Sequence, residues 1–126
     1  MIISFKYLHK LVLNGNIGAV QEILEEGVNP DARNKEGLTP LMLTTKHDDV
    51  NMANLLIKYG ADINAVDMEG KSVLMHAIIN NAKRVLGLLL QNSVKISKEE
   101  ASNQQFAKIL INNKNLLSSY VNKFND

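Results

Sequence analysis

Histidine and paired carboxylates are the side chains in this sequence with the best claim to chemistry. Histidine occurs at positions 9, 47 and 76, and acid pairs occur at Glu25-Glu26, Asp48-Asp49 and Glu99-Glu100. An imidazole can ligate a metal or relay a proton, and two carboxylates can act as acid and base when they converge on one cleft. The spacing favours neither use. No histidine stands at helical ligand spacing from another histidine or from a carboxylate. Residues adjacent on a helix point apart, and Glu99-Glu100 suits the first turn of a helix, where negative charge is favoured. Cysteine is absent, which excludes disulfides, thiolate metal sites and a Cys nucleophile. There is no Gly-x-Ser-x-Gly elbow or Gly-rich phosphate loop, and Gly15-Asn-Ile-Gly18 is too short for one. No catalytic, cofactor-binding or metal-ligating residue is therefore assigned. His9 and His76 read as structural, and His47 as an exposed contact residue.

The elements that would position these residues are helical. The 126 residues suffice for one domain. They are 45% hydrophobic but only 5% aromatic, without Trp, so the apolar content is mostly Leu, Ile and Val, which suits packed helices. A net charge of +1 and a pI near 8.0 are too small an excess to suggest nucleic-acid binding. The apolar start Met1–Phe5 is interrupted by Lys6, His9 and Lys10, which argues against a signal peptide. No window approaches the roughly 18–20 apolar residues of a membrane span. These readings lead us to expect a cytoplasmic monomer without a membrane partner, with secretion by a non-classical route left open. Met1 and the C-terminal helices read as a complete chain.

A period then emerges. One constant interval separates Gly37 from Gly70, Thr39 from Ser72, Leu41 from Leu74, and Met42 from Met75. At the same interval Leu55-Leu56-Ile57 falls on Leu88-Leu89-Leu90. One step back, Leu8 matches Leu41, Gly27 matches Gly60, and Val28–Ala32 falls on Ala61–Ala65. Each unit reads as turn, helix, helix. Gly37 and Gly70 supply the positive φ of a tight turn. Thr39-Pro40 opens a helix predicted to run from Pro40 to about Lys46. A second helix is predicted from about Asp49 to Tyr59, with Gly60 and Gly27 as left-handed C-caps. Met42, Met52 and Met75 are assigned to the core.

Helix, helix and turn at this period, with Thr39-Pro40-Leu41 and Gly60-Ala61-Asp62-Ile63-Asn64-Ala65, resembles the ankyrin repeat. The resemblance implies an all-α solenoid of stacked helix-turn-helix pairs with β-turn tips. We divide it into a ragged capping repeat 1–33, repeats 34–66 and 67–97, and a helical C-terminal cap 98–126. Within the cap, Ser97–Glu100 is a capping box. Two helices are expected, one bearing Phe106, Ile109 and Leu110 and one bearing Leu116, Leu117, Tyr120, Val121 and Phe124. Departures from the family pattern are Met42 and Met75 for His, Thr44-Thr45 for small alanines, Asp48 and Asn81 for an inter-helix Gly, and Ser93-Val94-Lys95 for Gly-Ala-Asp. They should lower stability without changing the fold.

The resemblance further implies a protein–protein interaction module, acting as adaptor or inhibitor, not an enzyme and without cofactor. Its partner would meet a concave face of turn tips and first helices. Mapped here, that face comprises Arg33, Lys35, Glu36, Leu38, Lys46 and His47, then Val66, Met68, Glu69, Lys71, Ile79 and Asn80. Leu38, Val66, Met68 and Ile79 are expected to be exposed apolar groups rimmed by charge. The competing readings are a segment of a longer array and, with less support, a small-molecule-binding or enzymatic domain. No pocket of converging polar groups is legible for the latter.

Overall fold

Repeated packing of short helix pairs builds the molecule. The computed structural model describes residues 2–124, with side chains from Tyr7 onward. Among them are nine α-helices: α1 Ile2–Leu13, α2 Ile17–Glu25, α3 Pro40–Thr44, α4 Val50–Lys58, α5 Val73–Ile79, α6 Lys83–Gln91, α7 Lys98–Ala101, α8 Gln104–Ile111 and α9 Lys114–Asn122. There is no strand among the described residues beyond a single antiparallel bridge between Val66 and Ser72. Consecutive helices pair as α1–α2, α3–α4, α5–α6 and α8–α9. The pairs then stack, first helix on first helix (α1·α3·α5·α8) and second on second (α2·α4·α6·α9). Leu8, Leu41 and Leu74, the leucines that mark the period, are all fully buried in one continuous core.

Local signals place the helix ends. The side chains of Thr39, Asp49 and Ser72 each accept the backbone N–H three residues on, as N-caps do. Pro40 sits in the first turn of α3, where its missing N–H leaves nothing unpaired. The first-helix prediction ran two residues too far, because the backbone already turns over Thr45–His47. Besides the turn-tip glycines Gly37 and Gly70, two positions per unit need a left-handed backbone. Between the helices it is held by Gly15, Asp48 (φ 50) and Asn81 (φ 54), and after the second helix by Gly27, Gly60 and Ser93 (φ 63). Side chains other than Gly cost free energy in this region, so the three substitutions fall where strain is expected.

Asp48 has a compensating role. Helix α6 begins after Ala82, which cannot cap it. The carboxylate of Asp48 instead accepts the N–H of Arg84 at 3.2 Å and of Val85 at 2.9 Å, while the Arg84 guanidinium donates to the Asp48 carbonyl at 3.1 Å. The preceding repeat thus caps this one. The threonines that replace alanine are also accommodated: both hydroxyls are buried, and each donates to a helix carbonyl at 2.7 Å, Thr44 to Leu41 and Thr45 to Met42. The Met42 thioether lies 3.5 Å from the Thr39 N–H and accepts it weakly.

The C-terminal segment differs from expectation in one respect. The capping box forms, but the helix it opens is only the four-residue α7. Ser102 ends it, its hydroxyl donating to the Lys98 and Glu99 carbonyls, and Asn103 caps a separate helix, α8. Three helices therefore stand where two were expected. Asn103 and Asn113, the N-caps of α8 and α9, follow Ser72 and Ala82, those of α5 and α6, at one shared interval slightly shorter than the repeat period. A sequence without visible repetition here adopts a fourth helix pair.

Candidate partner-binding face

Each turn tip is built by one side chain. In the second unit Asn34 Oδ1 accepts the N–H groups of Glu36 and Leu38, both at 3.0 Å. At the equivalent position of the third, Asp67 Oδ1 accepts those of Glu69 at 2.8 Å and Lys71 at 2.9 Å. Side-chain oxygens that mimic a backbone turn in this way are the reason Asn and Asp favour turns. They fix the tips against the first helices. Successive loops are tied as well. Asp31 Oδ1 accepts from the N–H of Asp62, and Asn64 Oδ1 from that of Lys95, both at 2.8 Å.

Where the third tip meets α5, a cleft of about 290 Å³ opens. Its lining includes eight of the twelve residues the sequence nominated: Glu36, Leu38, Lys46, Met68, Glu69, Lys71, Ile79 and Asn80. Met68 is 74% exposed and reaches back over Gly37, where a Cβ would come within 2.6 Å of its Cγ. Ile79 is also exposed, on the last turn of α5. Asn80 is anchored by its amide, which donates to the Thr45 hydroxyl at 2.9 Å.

The remaining four lie elsewhere. Arg33 is exposed but committed: its guanidinium donates to the carbonyls of Gly37 at 2.8 Å and Val66 at 2.7 Å, stapling one tip to the next. Val66 is exposed on the other flank of the tip, beside a second cleft of about 500 Å³ shared with Ile63, Val94 and Ile96. Lys35 and His47 are exposed outside the first cleft. One nomination needs correction within the cleft. Leu38 is only 9% exposed and belongs to the core, because the turn held by Asn34 folds its side chain inward. The apolar surface is therefore Met68 and Ile79, with Val66 apart from them.

Two residues at the cleft were missed: Asp67 and His76. His76 Nε2 lies 2.9 Å from Asp67 Oδ2, and Asp67 is buried. Burial pushes the Asp67 carboxyl up, but the Lys71 N–H, His76 and the Glu69 N–H together outweigh it and hold it below the usual carboxylate value. Sequence distance hid the pair, since a turn and the start of α5 separate the partners. The turn-forming position of Asp67 was the available signal. His9 is half-buried with its ring nitrogen against the Ala32 carbonyl, as its structural reading implied. Among the described residues no group of His, Asp and Glu could hold a metal ion, and no helix is long and apolar enough to cross a membrane.

A family model for ankyrin repeats, in three copies, matches residues 8–100. The chain is 40% identical over 87 residues to human neurogenic locus notch homolog protein 2, a match covering 68% of this chain and 4% of that protein. It is 36% identical over 86 residues to mouse inversin, covering 66% and 8%. To the mouse B-cell lymphoma 3 protein homolog it is 37% identical over 73 residues, covering 57% and 16%. The chain thus spans no more than 16% of the length of these relatives.

Proposed function

This chain belongs to the ankyrin-repeat family, whose repeats are protein–protein interaction modules and typically not enzymes, and from that premise we propose that it captures a protein partner on the face where the third tip meets α5. The observation that carries the reading is the cleft itself. Two exposed apolar side chains, Met68 and Ile79, stand over it, and Glu36, Lys46, Glu69 and Lys71 surround them. An apolar centre with a charged rim is the anatomy of an interface core and its border. The stapled tips make that face rigid before the partner arrives, so little ordering entropy opposes binding. The mixed charges select a partner by complementarity more than they add affinity. Binding of this kind suits an adaptor or an inhibitor, which needs to occupy a surface and carries out no chemistry of its own.

The test is affinity capture with partners identified by mass spectrometry, repeated with a Met68→Asp/Ile79→Asp double variant. That variant should lose the partner while its circular dichroism and Tm stay those of the parent. Val66→Asp, on the other flank of the tip, should retain it. Capture at full strength by the double variant would remove the cleft from consideration.

A further inference from the structure

An arginine closes the gap between the second and third tips, and a valine stands in its place at the gap that follows. In the first gap the Arg33 guanidinium donates to the Gly37 carbonyl of its own tip and to the Val66 carbonyl of the next. The third tip repeats the turn. Asp67 replaces Asn34, and the Gly70 N–H donates to the Asp67 carbonyl as the Gly37 N–H does to that of Asn34. One period after Arg33 the residue is Val66. Among the described residues no side chain donates to the Gly70 carbonyl.

A fourth tip would lie along this flank, but the chain forms the short α7 instead, and the second cleft, about 500 Å³, opens between them. Gly70 and Glu99 both line it, beside an aliphatic wall of Ile63, Val66, Val94 and Ile96. Its charged residues are Glu99, Glu100 and Lys95, an excess of acid. Glu100 is buried and spent, accepting the Ser97 N–H at 2.8 Å and the Ser72 hydroxyl. Glu99 is exposed, and among the described residues its carboxylate has no partner. Lys95 is a compact point charge and cannot fork across two acceptors as Arg33 does.

We propose that this second cleft seats an arginine of a partner protein, carried between aliphatic neighbours. The guanidinium donates to the Gly70 carbonyl, as Arg33 does to that of Gly37, and to the Glu99 carboxylate, which takes the part of the Val66 carbonyl. A planar fork meets two acceptors at once, and a lysine ammonium matches them poorly. The aliphatic neighbours cover Val66 and Ile96 and remove apolar surface from water. The site lies on the other flank of the tip from Met68 and Ile79, so its failure would leave the capture of a partner there untouched.

NMR titration of the ¹⁵N-labelled chain with acetyl-Leu-Arg-Leu-amide tests it, with acetyl-Leu-Lys-Leu-amide as the matched control. The arginine peptide should shift the amide signals of Gly70, Val94 and Glu99 saturably, and the lysine peptide should shift them less at every concentration. Glu99→Gln should weaken the arginine peptide about threefold, the range of an exposed ion pair. Val66→Arg supplies the guanidinium from within the chain. It should raise Tm, as a second staple between neighbouring segments, and should abolish the shifts. Equal shifts from the two peptides overturn the proposal, as does the absence of any shift. Shifts confined to Met68 and Ile79, or undiminished binding by Val66→Arg, overturn it equally.

Discussion

At the scale of single residues, Asp67 concentrates the most consequences. One oxygen forms the turn and the other meets His76. Its folded-state pKa is depressed, so its stabilising contribution is present above the unfolded value, about 3.9, and is lost as pH falls through the folded value. Asp67→Ala removes the turn bonds and the His76 contact together and should cost about 1–3 kcal/mol at neutral pH. Asp67→Asn keeps an oxygen for the turn, as Asn34 does in the preceding unit, so it should cost less and should flatten the acid limb of the stability curve. Urea unfolding of both variants between neutral pH and the acid midpoint measures this. An unchanged acid limb in Asp67→Asn would show that the Asp67 carboxyl carries no linkage.

The left-handed residues make a second case at this scale. Ser93 has no cap to make, and Ser93→Gly should stabilise the chain by about 1 kcal/mol by removing Cβ strain. Asp48→Gly relieves the same strain but removes the cap on α6, worth about 1 kcal/mol, and should be nearly neutral. Asp48→Ala keeps the strain without the cap and should be the most damaging of the three. Thermal unfolding ranks them, and a stabilising Asp48→Gly would mean the inter-repeat cap contributes nothing.

At the scale of elements, the bonds between repeats matter as much as those within them. Arg33 reaches the carbonyl of Val66, its own equivalent one repeat later. Asp31 and Asn64 repeat the tie along the loops. Such bonds are invisible to periodicity, which reports that two positions are alike but not that they touch. The last helix pair is the converse case. The helical spacing of Phe106, Ile109 and Leu110 marked α8 correctly, yet the break at Ser102-Asn103 was not expected, because a hydroxyl turning back on its helix leaves no apolar trace.

At the scale of the molecule, stability passes from neighbour to neighbour, as in any stack where each unit buries its face on the next. Gly87 is the joint between α6 and α9: a Cβ added there would stand 3.1 Å from Leu116 Cδ2. Gly87→Leu should overpack this joint, at a cost of about 1–3 kcal/mol, and loosen α8–α9 before the rest. Hydrogen exchange should show protection lost first in residues 104–122, with α3 and α4 unaffected. Uniform loss along the chain would refute this end-first order and mean the molecule unfolds as a single cooperative block.

The amino-acid sequence alone determined the period, the helix pairs of the first three units and the burial of Leu8, Leu41 and Leu74. These depend on residues close in sequence and on a spacing repeated without gaps. It also nominated most of the cleft lining, because turn tips and first helices recur at countable positions. Only tertiary packing decided that Leu38 turns inward, that Arg33 is spent on a neighbouring tip, that Asp67 meets His76, and that Leu117 and Val121 stay bare. The Arg33 tie and the bareness of Leu117 and Val121 depend on which unit lies alongside, whereas the inward turn of Leu38 and the Asp67–His76 contact depend on how a tip folds onto its own first helix.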